Sequence, residues 1–446
     1  ASDWSSDVCS SDLLTAVLAA WPASRRLALA AGALALALAL AALRPPLFHR
    51  DHFLVGTFRL PGALPFSRDP AEDFFAQLLG DARPVFQEDG PECSVAVLET
   101  PGEDWHPGPS RAIMVNAKSD SSAVGDMYTL KLAAHLPALL ARSRDRVLVV
   151  GLGTGVTAAE FTLYPDVAHI AVAEISPTVV RALPCFADFT RGLAADPRLD
   201  LRLGDAFRIL ARSPERWDLV VSEPSHPWVM GVDLLFTREL YGLVRERLAS
   251  DGLLLQWILC ADADAAMLGT VLSALHQALP QARVFMSQAN DLLILAGRRP
   301  LDAADLERAR AAWDALPAVR ASLAPLGLDS LDALLLREVW PPALAAARGR
   351  GFPPQSLDFP RLHYMAGRSR FRADHPPEPL LYGPDSAACA GDYLLALARP
   401  GRPLVAAEEL DGLLDSLEDK TRGPGAELPM ARSLRQIGRA SCRERV

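Results

Sequence analysis

Cysteine is scarce in this sequence, with six residues in a chain of 446, and no two of them have the C-x-x-C spacing of a zinc or redox site. Cys9 and Cys442 lie in terminal segments that are set aside below. The others are scattered along the chain, which excludes the disulfide framework of a small secreted domain. We therefore expect reduced, buried thiols in a reducing compartment, and no metal site.

Positive charge is not in excess either. The chain has 45 Lys and Arg against 54 Asp and Glu, a net charge of −9 and a pI near 5.6. This balance gives no overall attraction to a phosphate backbone, so we expect no nucleic acid as the main partner. With 50% hydrophobic and 22% charged residues, the composition is that of a globular protein.

The two ends of the chain do not have the character of a folded protein. Asp3–Leu13 and Ile437–Val446 resemble translated sequencing-library adapters. We therefore expect residues 1–13 and 436–446 to be artefacts, and we leave them out of the fold prediction.

An uncharged, Ala/Leu-rich run lies near the start of the chain, at residues 27–43. Its length just reaches that of a bilayer-spanning helix, so we predict a membrane segment at 14–46, the remnant of a larger membrane domain. A signal-peptide core and a buried helix are the alternatives. A lipid bilayer would then be a partner and the protein membrane-anchored, with its catalytic domain in the cytoplasm. Arginines flank both ends of the run, so charge does not decide its orientation.

The rest of the chain divides into three regions by pattern. Short alternating segments with a turn at Asp89-Gly90 predict a small antiparallel β unit at 47–125. Helical and strand patterns then alternate, which predicts a doubly wound α/β layer at 126–300. Helical periodicity predicts a helical C-terminal region at 301–435.

A glycine-rich turn follows the first predicted strand of the α/β layer. The strand Arg146–Val150 runs into Gly151, Gly153 and Gly155, and a helical pattern comes next. Glycines let the backbone approach a ligand, and the helix start offers free N–H groups. The spacing is G-x-G-x-G rather than the G-x-G-x-x-G of dehydrogenases, which argues against a nicotinamide cofactor.

Acidic side chains follow the next three predicted strands. Glu174 ends the second strand, Asp205 and Ala206 follow the third, and Glu223 and His226 follow the fourth. Ligands of open α/β sheets bind at the carboxyl ends of the strands, so we expect these residues to meet in one crevice. A carboxylate at the end of the second strand can accept hydrogen bonds from both ribose hydroxyls, which indicates a nucleoside ligand.

Residues 86–298 resemble the spermidine synthase (polyamine aminopropyltransferase) family, in particular bacterial members fused behind a membrane domain. The matching stretches are VNAKSDSSAVGDM, AHLPALL, VLVVGLGTG, VAEISP, RLGDAF and SEPSHPWVMGVDLLFTRELY. The resemblance implies an α/β fold, a Rossmann-like class I methyltransferase fold behind a small β unit. It also implies decarboxylated S-adenosylmethionine as co-substrate, an amine acceptor and no metal, and it leaves a homodimer open.

The resemblance also implies roles for individual residues. Gly151, Gly153 and Gly155 would line the nucleoside, Glu174 would hold its ribose, and Asp205 with Ala206 would meet its adenine. The substrate side would include the following residues: Asp126, His135 and Trp228.

The chain departs from the family at the catalytic loop. The family carries two aspartates three residues apart where this sequence has Glu223 and His226, and an acid in the glycine turn where it has Thr154. We expect Glu223 to anchor the amine and His226 to accept its proton. A methyltransferase that uses intact S-adenosylmethionine, with Lys118 or Lys131 on its carboxylate, is a second hypothesis. A non-catalytic nucleoside sensor is the third.

Overall fold

The computed structural model describes residues 25–42, 53–54, 56, 71–102, 106–224, 226–259, 263–287, 291–372 and 392–398. Residues 1–55 and residues 56–446 form two compact units. The adapter-like segments 1–13 and 436–446 lie outside the described residues.

The first unit contains helix α1, Arg25–Ala42, over the Ala/Leu-rich run. None of the helices in the described ranges is long and apolar enough to cross a membrane. The prediction of a transmembrane helix within 14–46 is therefore not supported. α1 includes Arg25 and Arg26, so its apolar run is shorter than the about 20 residues of a typical spanning helix.

The second unit begins with a short helix and a four-stranded antiparallel sheet in the order β1-β2-β3-β4. The turn predicted at Asp89-Gly90 joins β1 to β2, and the Gly90 N–H donates to the Cys93 carbonyl. The elements are α2 (Ala71–Leu79), β1 (Arg83–Asp89), β2 (Ser94–Thr100), β3 (Ser110–Val115) and β4 (Lys118–Ser122).

A larger, eight-stranded sheet follows, with helices between its strands. Three of its central strands, Arg146–Val150, His169–Glu174 and Trp217–Ser222, are buried on both faces, as their runs of Val, Leu and Ile predict. Its elements, up to the terminal hairpin, are α3 (Met127–Leu140), β5 (Arg146–Val150), α4 (Val156–Glu160), β6 (His169–Glu174), α5 (Pro177–Ala182), β7 (Leu199–Leu203), α6 (Ala206–Arg212), β8 (Trp217–Ser222), α7 (Arg238–Arg247), β9 (Leu248–Leu259), α8 (Ala265–Ala278), β10 (Gln281–Met286) and β11 (Asp291–Gly297).

The strand order of this sheet is β12-β10-β11-β9-β8-β5-β6-β7. The strands β5 to β9 are parallel to one another, whereas β11 is antiparallel to both β9 and β10. The order reverses between β5 and β8, and such a reversal is where doubly wound sheets bind ligands. This arrangement confirms the predicted α/β, Rossmann-like methyltransferase fold with a terminal strand hairpin.

The described residues after residue 300, 301–372 and 392–398, are mostly helical, and they also supply an edge strand. Glu338–Trp340, β12, pairs antiparallel with β10. A strand of three residues is too short to show an alternating pattern, and Pro341 ends it at once. The helices are α9 (Ala303–Ala315), α10 (Pro317–Leu323), α11 (Leu331–Leu335), α12 (Pro342–Gly349), α13 (Arg361–Arg372) and α14 (Leu394–Ala398).

The glycine turn at the start of α4 offers a test of packing. Gly155 has φ +80°, and a Cβ added there would lie 2.7 Å from Leu183 Cδ1, whereas Gly192 has φ +76° and open space around it. We expect both Gly155→Ala and Gly192→Ala to cost about 1–2 kcal/mol of backbone strain. Only Gly155→Ala adds overpacking, by about 1 kcal/mol or more. Thermal unfolding of the two variants measures the difference, and equal losses would contradict the packing argument.

Candidate active site

A cavity of about 1100 Å³ lies at the carboxyl ends of the parallel strands. Strands β5, β6, β7 and β8 each deliver a residue to it immediately after they end or at their last position. The predicted residues that line it are Gly151, Gly153, Glu174, Asp205, Ala206, Glu223, His226, Trp228 and Asp126. Gly155 and His135 are not among its described lining residues. The volume exceeds what a nucleoside alone needs, so a second substrate fits beside it.

The glycine turn depends on the backbone freedom of its residues. Gly151 and Gly153 have φ +95° and +52°, a region that side chains disfavour. A Cβ on Gly151 would lie 3.1 Å from the carbonyl oxygen of Glu223, so the absence of a side chain lets the β5 and β8 ends meet. The Gly151 N–H donates to the Ala173 carbonyl at 2.9 Å. These contacts bring the ends of β5, β6 and β8 together around the cavity.

Glu174 is the last residue of β6, and its carboxylate lies in the cavity wall with an exposed fraction of 7%. One oxygen accepts the Leu152 N–H at 2.9 Å and the other accepts the Ser176 N–H at 2.8 Å. Burial raises the pKa of Glu174, although these two N–H groups oppose the rise. Each oxygen has a second lone pair, so the carboxylate is oriented to accept hydroxyl groups as well.

Asp205 is the N-cap of α6, and its side chain accepts the Phe207 N–H at 2.9 Å. Ala206, the first residue of the helix, lines the cavity beside it. Ile175 is 57% exposed although it also lines the cavity. An apolar side chain next to a capping carboxylate suits a flat base with an exocyclic amino group.

Glu223 follows β8 and lies in the wall of the cavity. Burial raises its pKa to about 8, although the Thr157 hydroxyl, which donates to the carboxylate at 2.9 Å, opposes the rise. A carboxyl group with a pKa near neutral pH exchanges protons readily under physiological conditions. Such a group is suited to general acid–base chemistry.

His226 lies close to a buried lysine, a contact that the sequence did not predict. Its Nδ1 is 3.4 Å from the Nζ of Lys118, whose exposed fraction is 3%. Because a lysine ammonium group only donates, Nδ1 acts as the acceptor in this contact. Lys118 also forms an ion pair with Asp120. The Trp228 ring packs edge-on against the imidazole, with ring centroids 5.3 Å apart.

His135 lies away from the cavity, in a fully buried cluster between α3, α4 and α10. Its Nε2 is 2.9 Å from Glu160 Oε2, and its Nδ1 is 2.8 Å from the Tyr164 hydroxyl. Burial lowers the pKa of His135, which keeps the ring neutral. Burial also acts to raise the pKa of Glu160, but His135 and its other partners hold it at about 2. Ser322 donates to the same Glu160 oxygen, so the cluster joins the C-terminal helices to the sheet domain.

Lys131 belongs to this cluster rather than to the cavity. Its Nζ donates to the Ser322 carbonyl at 2.8 Å, and burial lowers its pKa. Of the two lysines considered for a cofactor carboxylate, only Lys118 lines the cavity.

Replacing His135 tests whether this cluster stabilises the fold or binds substrate. We expect His135→Ala to lower the free energy of unfolding by about 2–4 kcal/mol, because a buried charge-assisted hydrogen bond and a neutral one are lost. Nucleoside affinity should stay within twofold of the native value. Chemical denaturation and calorimetric titration measure both quantities, with the exposed His276→Ala as control. Lower nucleoside affinity at unchanged stability would instead place His135 in the binding site.

The structure adds Asp291 to the cavity, a residue that the sequence did not single out. It is the first residue of β11. Because β11 runs antiparallel to β9, its first residue lies at the same edge of the sheet as the carboxyl ends of the parallel strands. The signal was present in the sequence as the acid that opens DLLILAG, directly after the predicted hairpin loop.

Among the described residues, no group of three or more His, Cys, Asp or Glu side chains could hold a metal ion. The cavity lining includes carboxylates and hydroxyls that can form hydrogen bonds to a ligand. Its chemistry can be compared with that of known proteins.

Residues 126–291 match the family model described as "Spermine/spermidine synthase domain". This part of the chain is similar to that domain family. It spans the chain from Asp126 to Asp291, and so it includes the glycine turn and the three acidic strand ends. The predicted family resemblance is therefore confirmed.

Curated proteins that are similar to the chain are named polyamine aminopropyltransferases. The polyamine aminopropyltransferase of Streptococcus pneumoniae serotype 4 is 26% identical over 196 residues, which are 43% of this chain and 66% of the relative. Polyamine aminopropyltransferase 2 of Streptomyces coelicolor is 32% identical over 235 residues, 48% of this chain and 41% of the relative. The chain thus spans less than two thirds of these relatives, so their activity comes to it only as a proposal.

Solved structures also resemble the chain. The spermidine synthase of Thermotoga maritima is 17% identical, with a TM-score of 0.43, over 51% of this chain and 75% of that one. A TM-score below 0.5 does not establish a shared fold, so the fold assignment depends on the strand order given above.

Proposed function

We propose that this protein transfers an aminopropyl group from decarboxylated S-adenosylmethionine to an amine. The observation that carries the proposal is the convergence of the glycine turn, Glu174, Asp205 and Glu223 on one cavity within a spermidine synthase domain. The nucleoside is a substrate rather than a resident cofactor.

The nucleoside half of the cavity is assigned from hydrogen-bonding capacity. Glu174 accepts the ribose hydroxyls, since both of its oxygens are oriented by backbone N–H groups and retain a free lone pair. Asp205 and Ala206 meet the adenine, with Ile175 against its face. Gly151 and Gly153 let the backbone approach the sulfonium end.

The chemical step needs a base. The amine nitrogen attacks the carbon next to the sulfonium, a C–N bond forms, and the C–S electron pair goes to sulfur, which leaves as the neutral thioether of methylthioadenosine. The attacking amine enters as an ammonium with a pKa of about 10, so a proton must be removed. Glu223, whose pKa is about 8, accepts this proton.

His226 is the weaker candidate for the base. Its Nδ1 already accepts from the Lys118 side, and a second positive charge beside the lysine ammonium would be unfavourable. We therefore assign His226, with Trp228, to the wall that positions the acceptor. Glu223 is therefore the group that both binds the amine and removes its proton.

A methyltransferase that uses intact S-adenosylmethionine is the second candidate. It is favoured by Lys118, a buried cation in the cavity wall that could meet the methionine carboxylate. The ion pair between Lys118 and Asp120 counts against it, because the lysine charge is already offset.

A product assay on the full chain tests the proposal. Decarboxylated and intact S-adenosylmethionine are supplied separately with a panel of amines, and mass spectrometry identifies the nucleoside product. Methylthioadenosine that accumulates only with both the decarboxylated substrate and an amine supports aminopropyl transfer. S-adenosylhomocysteine would assign the protein to the methyltransferases, and neither product, with nucleoside binding intact, would overturn both.

A further inference from the structure

The C-terminal region, which lies outside the matched residues 126–291, contributes a residue to the cavity wall. Leu357 lines the cavity. It belongs to residues 355–357, a short segment between α12 and α13 that we call the strap. Gln355, the first residue of the strap, has an exposed fraction of 0%. A polar side chain that is fully buried needs hydrogen-bond partners, and the partners of Gln355 show which parts of the protein the strap connects.

Two helices fix the position of the strap. The Gln355 N–H donates to the Thr270 carbonyl of α8 at 3.4 Å. A Cβ added to Gly269 would overlap the Phe352 ring, so the absence of a side chain there lets Phe352 pack against α8 just before the strap. The Gln355 Oε1 accepts the Leu362 N–H of α13 at 2.9 Å. Both the backbone and the side chain of Gln355 are therefore held in place by the surrounding structure.

Gln355 also contacts a part of the cavity wall, residues 231–236. Four of these residues line the cavity: Gly231, Val232, Leu234 and Leu235. Asp233 lies between them in the sequence and is 4% exposed. Its Oδ2 accepts from the Gln355 Nε2 at 3.1 Å, and its carbonyl oxygen accepts from the same nitrogen at 3.3 Å. Because a side-chain amide nitrogen carries two hydrogens, Gln355 can form both hydrogen bonds to this wall segment at once.

The strap fixes the end of the same wall segment, where it runs into α7. The Arg238 N–H, the first of this helix, donates to the Gln355 carbonyl at 3.0 Å. The first N–H groups of a helix have no partner within the helix, so the strap supplies an acceptor for one of them. Glu239 accepts the Leu357 N–H at 3.1 Å. Wall segment and strap are thus joined by hydrogen bonds at two places.

We propose that Gln355 is a positioning residue, through which the C-terminal region holds the wall segment 231–236 against the cavity. The C-terminal region is then part of the active site, although the family match ends at Asp291. Loss of the Gln355 contacts lets the wall segment move away from the cavity, and a bound nucleoside leaves faster. The inference rests on the proposed function in one respect, since methylthioadenosine is the ligand whose release reports the position of the wall.

Hydrogen–deuterium exchange of the full, ligand-free chain tests the inference at the wall itself. Methionine is about as long as glutamine but lacks its donor and acceptor, so Gln355→Met removes the contacts to Asp233. We expect the amides of residues 231–237 to exchange about tenfold faster, and those of β5 and β6 to change less than twofold. Stopped-flow displacement of methylthioadenosine should show dissociation that is about fivefold faster.

Two further variants separate this local effect from a general loss of stability. Gln277→Met makes the same change at an exposed position on α8 and should leave exchange and dissociation within twofold of the native values. Glu239→Ala removes the second contact of the strap from a partly exposed position, and it tests the inference even where Gln355→Met does not fold. We expect it to speed exchange at 231–237 about threefold. Unchanged exchange at 231–237, or an equal rise there and in β5 and β6, would overturn the inference.

The two measurements distinguish failure of this inference from failure of the proposed function. Faster exchange at 231–237 in Gln355→Met, together with no methylthioadenosine binding to the native protein, retains the role of the strap and refutes the proposed nucleoside site. Methylthioadenosine that binds the native protein and dissociates at the same rate from Gln355→Met retains the nucleoside site and refutes Gln355 as a positioning residue.

Discussion

Replacement of Glu223 with glutamine is expected to lower kcat for aminopropyl transfer by about 10²–10⁴-fold, the range typical of a lost general base. Glutamine has nearly the same shape and can still accept the Thr157 hydroxyl that bonds to Oε1, so the cavity should be preserved. It cannot take a proton from the bound ammonium. Affinity for methylthioadenosine should therefore stay within twofold, because the proposed nucleoside contacts are made by other residues.

The pH dependence of the reaction is a second test of Glu223 as the general base. The active form of Glu223 is the carboxylate, and its pKa in the ligand-free protein is raised to about 8, so kcat/KM should rise with pH and level off above that value. Glu223→Asp keeps a carboxylate and should retain a rising profile at a reduced rate, whereas Glu223→Gln should lose this dependence. An unchanged profile in Glu223→Gln would assign the proton transfer to another group, with His226→Gln as the next variant to measure.

The stability of the native protein should fall with rising pH, whereas its activity should rise. The Glu223 carboxyl has a pKa of about 8 in the folded state, above its ordinary value of 4.5. Because ionisation of this carboxyl is less favourable in the folded than in the unfolded protein, the free energy of unfolding falls as pH rises from about 4.5 to about 8. Glu223→Gln removes this cost. We expect its melting temperature to match the native value at pH 4 and to exceed it at pH 9.

The alternation of strands and helices and the residues that follow each strand were predictable because both depend on local pattern. A buried strand followed by Gly151, Gly153 and Gly155 indicates a tight turn, and three further strands that end in acids indicate a common edge. The parallel pairing of β5 with β6 and β8 then brings those ends together. Such predictions succeed because they depend only on residues that are close together in the sequence.

The acceptor side was less predictable because it depends on long-range contacts. The family resemblance implies a place for His135 on the substrate side, but its ring turns towards Glu160 and Tyr164 on the next helical segment. Thr129, six residues earlier on the same helix, donates to Asp291, a residue 162 positions away. The face of α3 that lines the cavity depends on packing against distant segments. The sequence periodicity of α3 does not indicate which face this is.

Replacement of Glu174 with glutamine is expected to weaken methylthioadenosine binding by about 10–100-fold, equivalent to about 1.4–2.8 kcal/mol. The carboxylate accepts the Leu152 and Ser176 N–H groups with one oxygen each, whereas glutamine offers only one oxygen. Its amide N–H₂ would face one of these N–H groups, and a donor opposite a donor leaves a buried group unpaired. The ribose hydroxyls would also lose a charged acceptor.

This result must be separated from a loss of folded protein. Burial raises the pKa of Glu174, so removal of the charge itself is not expected to unfold the domain. Any drop in the melting temperature would then come from the Leu152 or Ser176 N–H group that loses its acceptor. Glu246→Gln removes an equal charge from an exposed position on α7 and should leave nucleoside affinity unchanged. Retained affinity in Glu174→Gln would mean that the ribose is held elsewhere. The nucleoside would then have to bind through the glycine turn and Asp205, and the strand-end argument would hold for the adenine but not for the sugar.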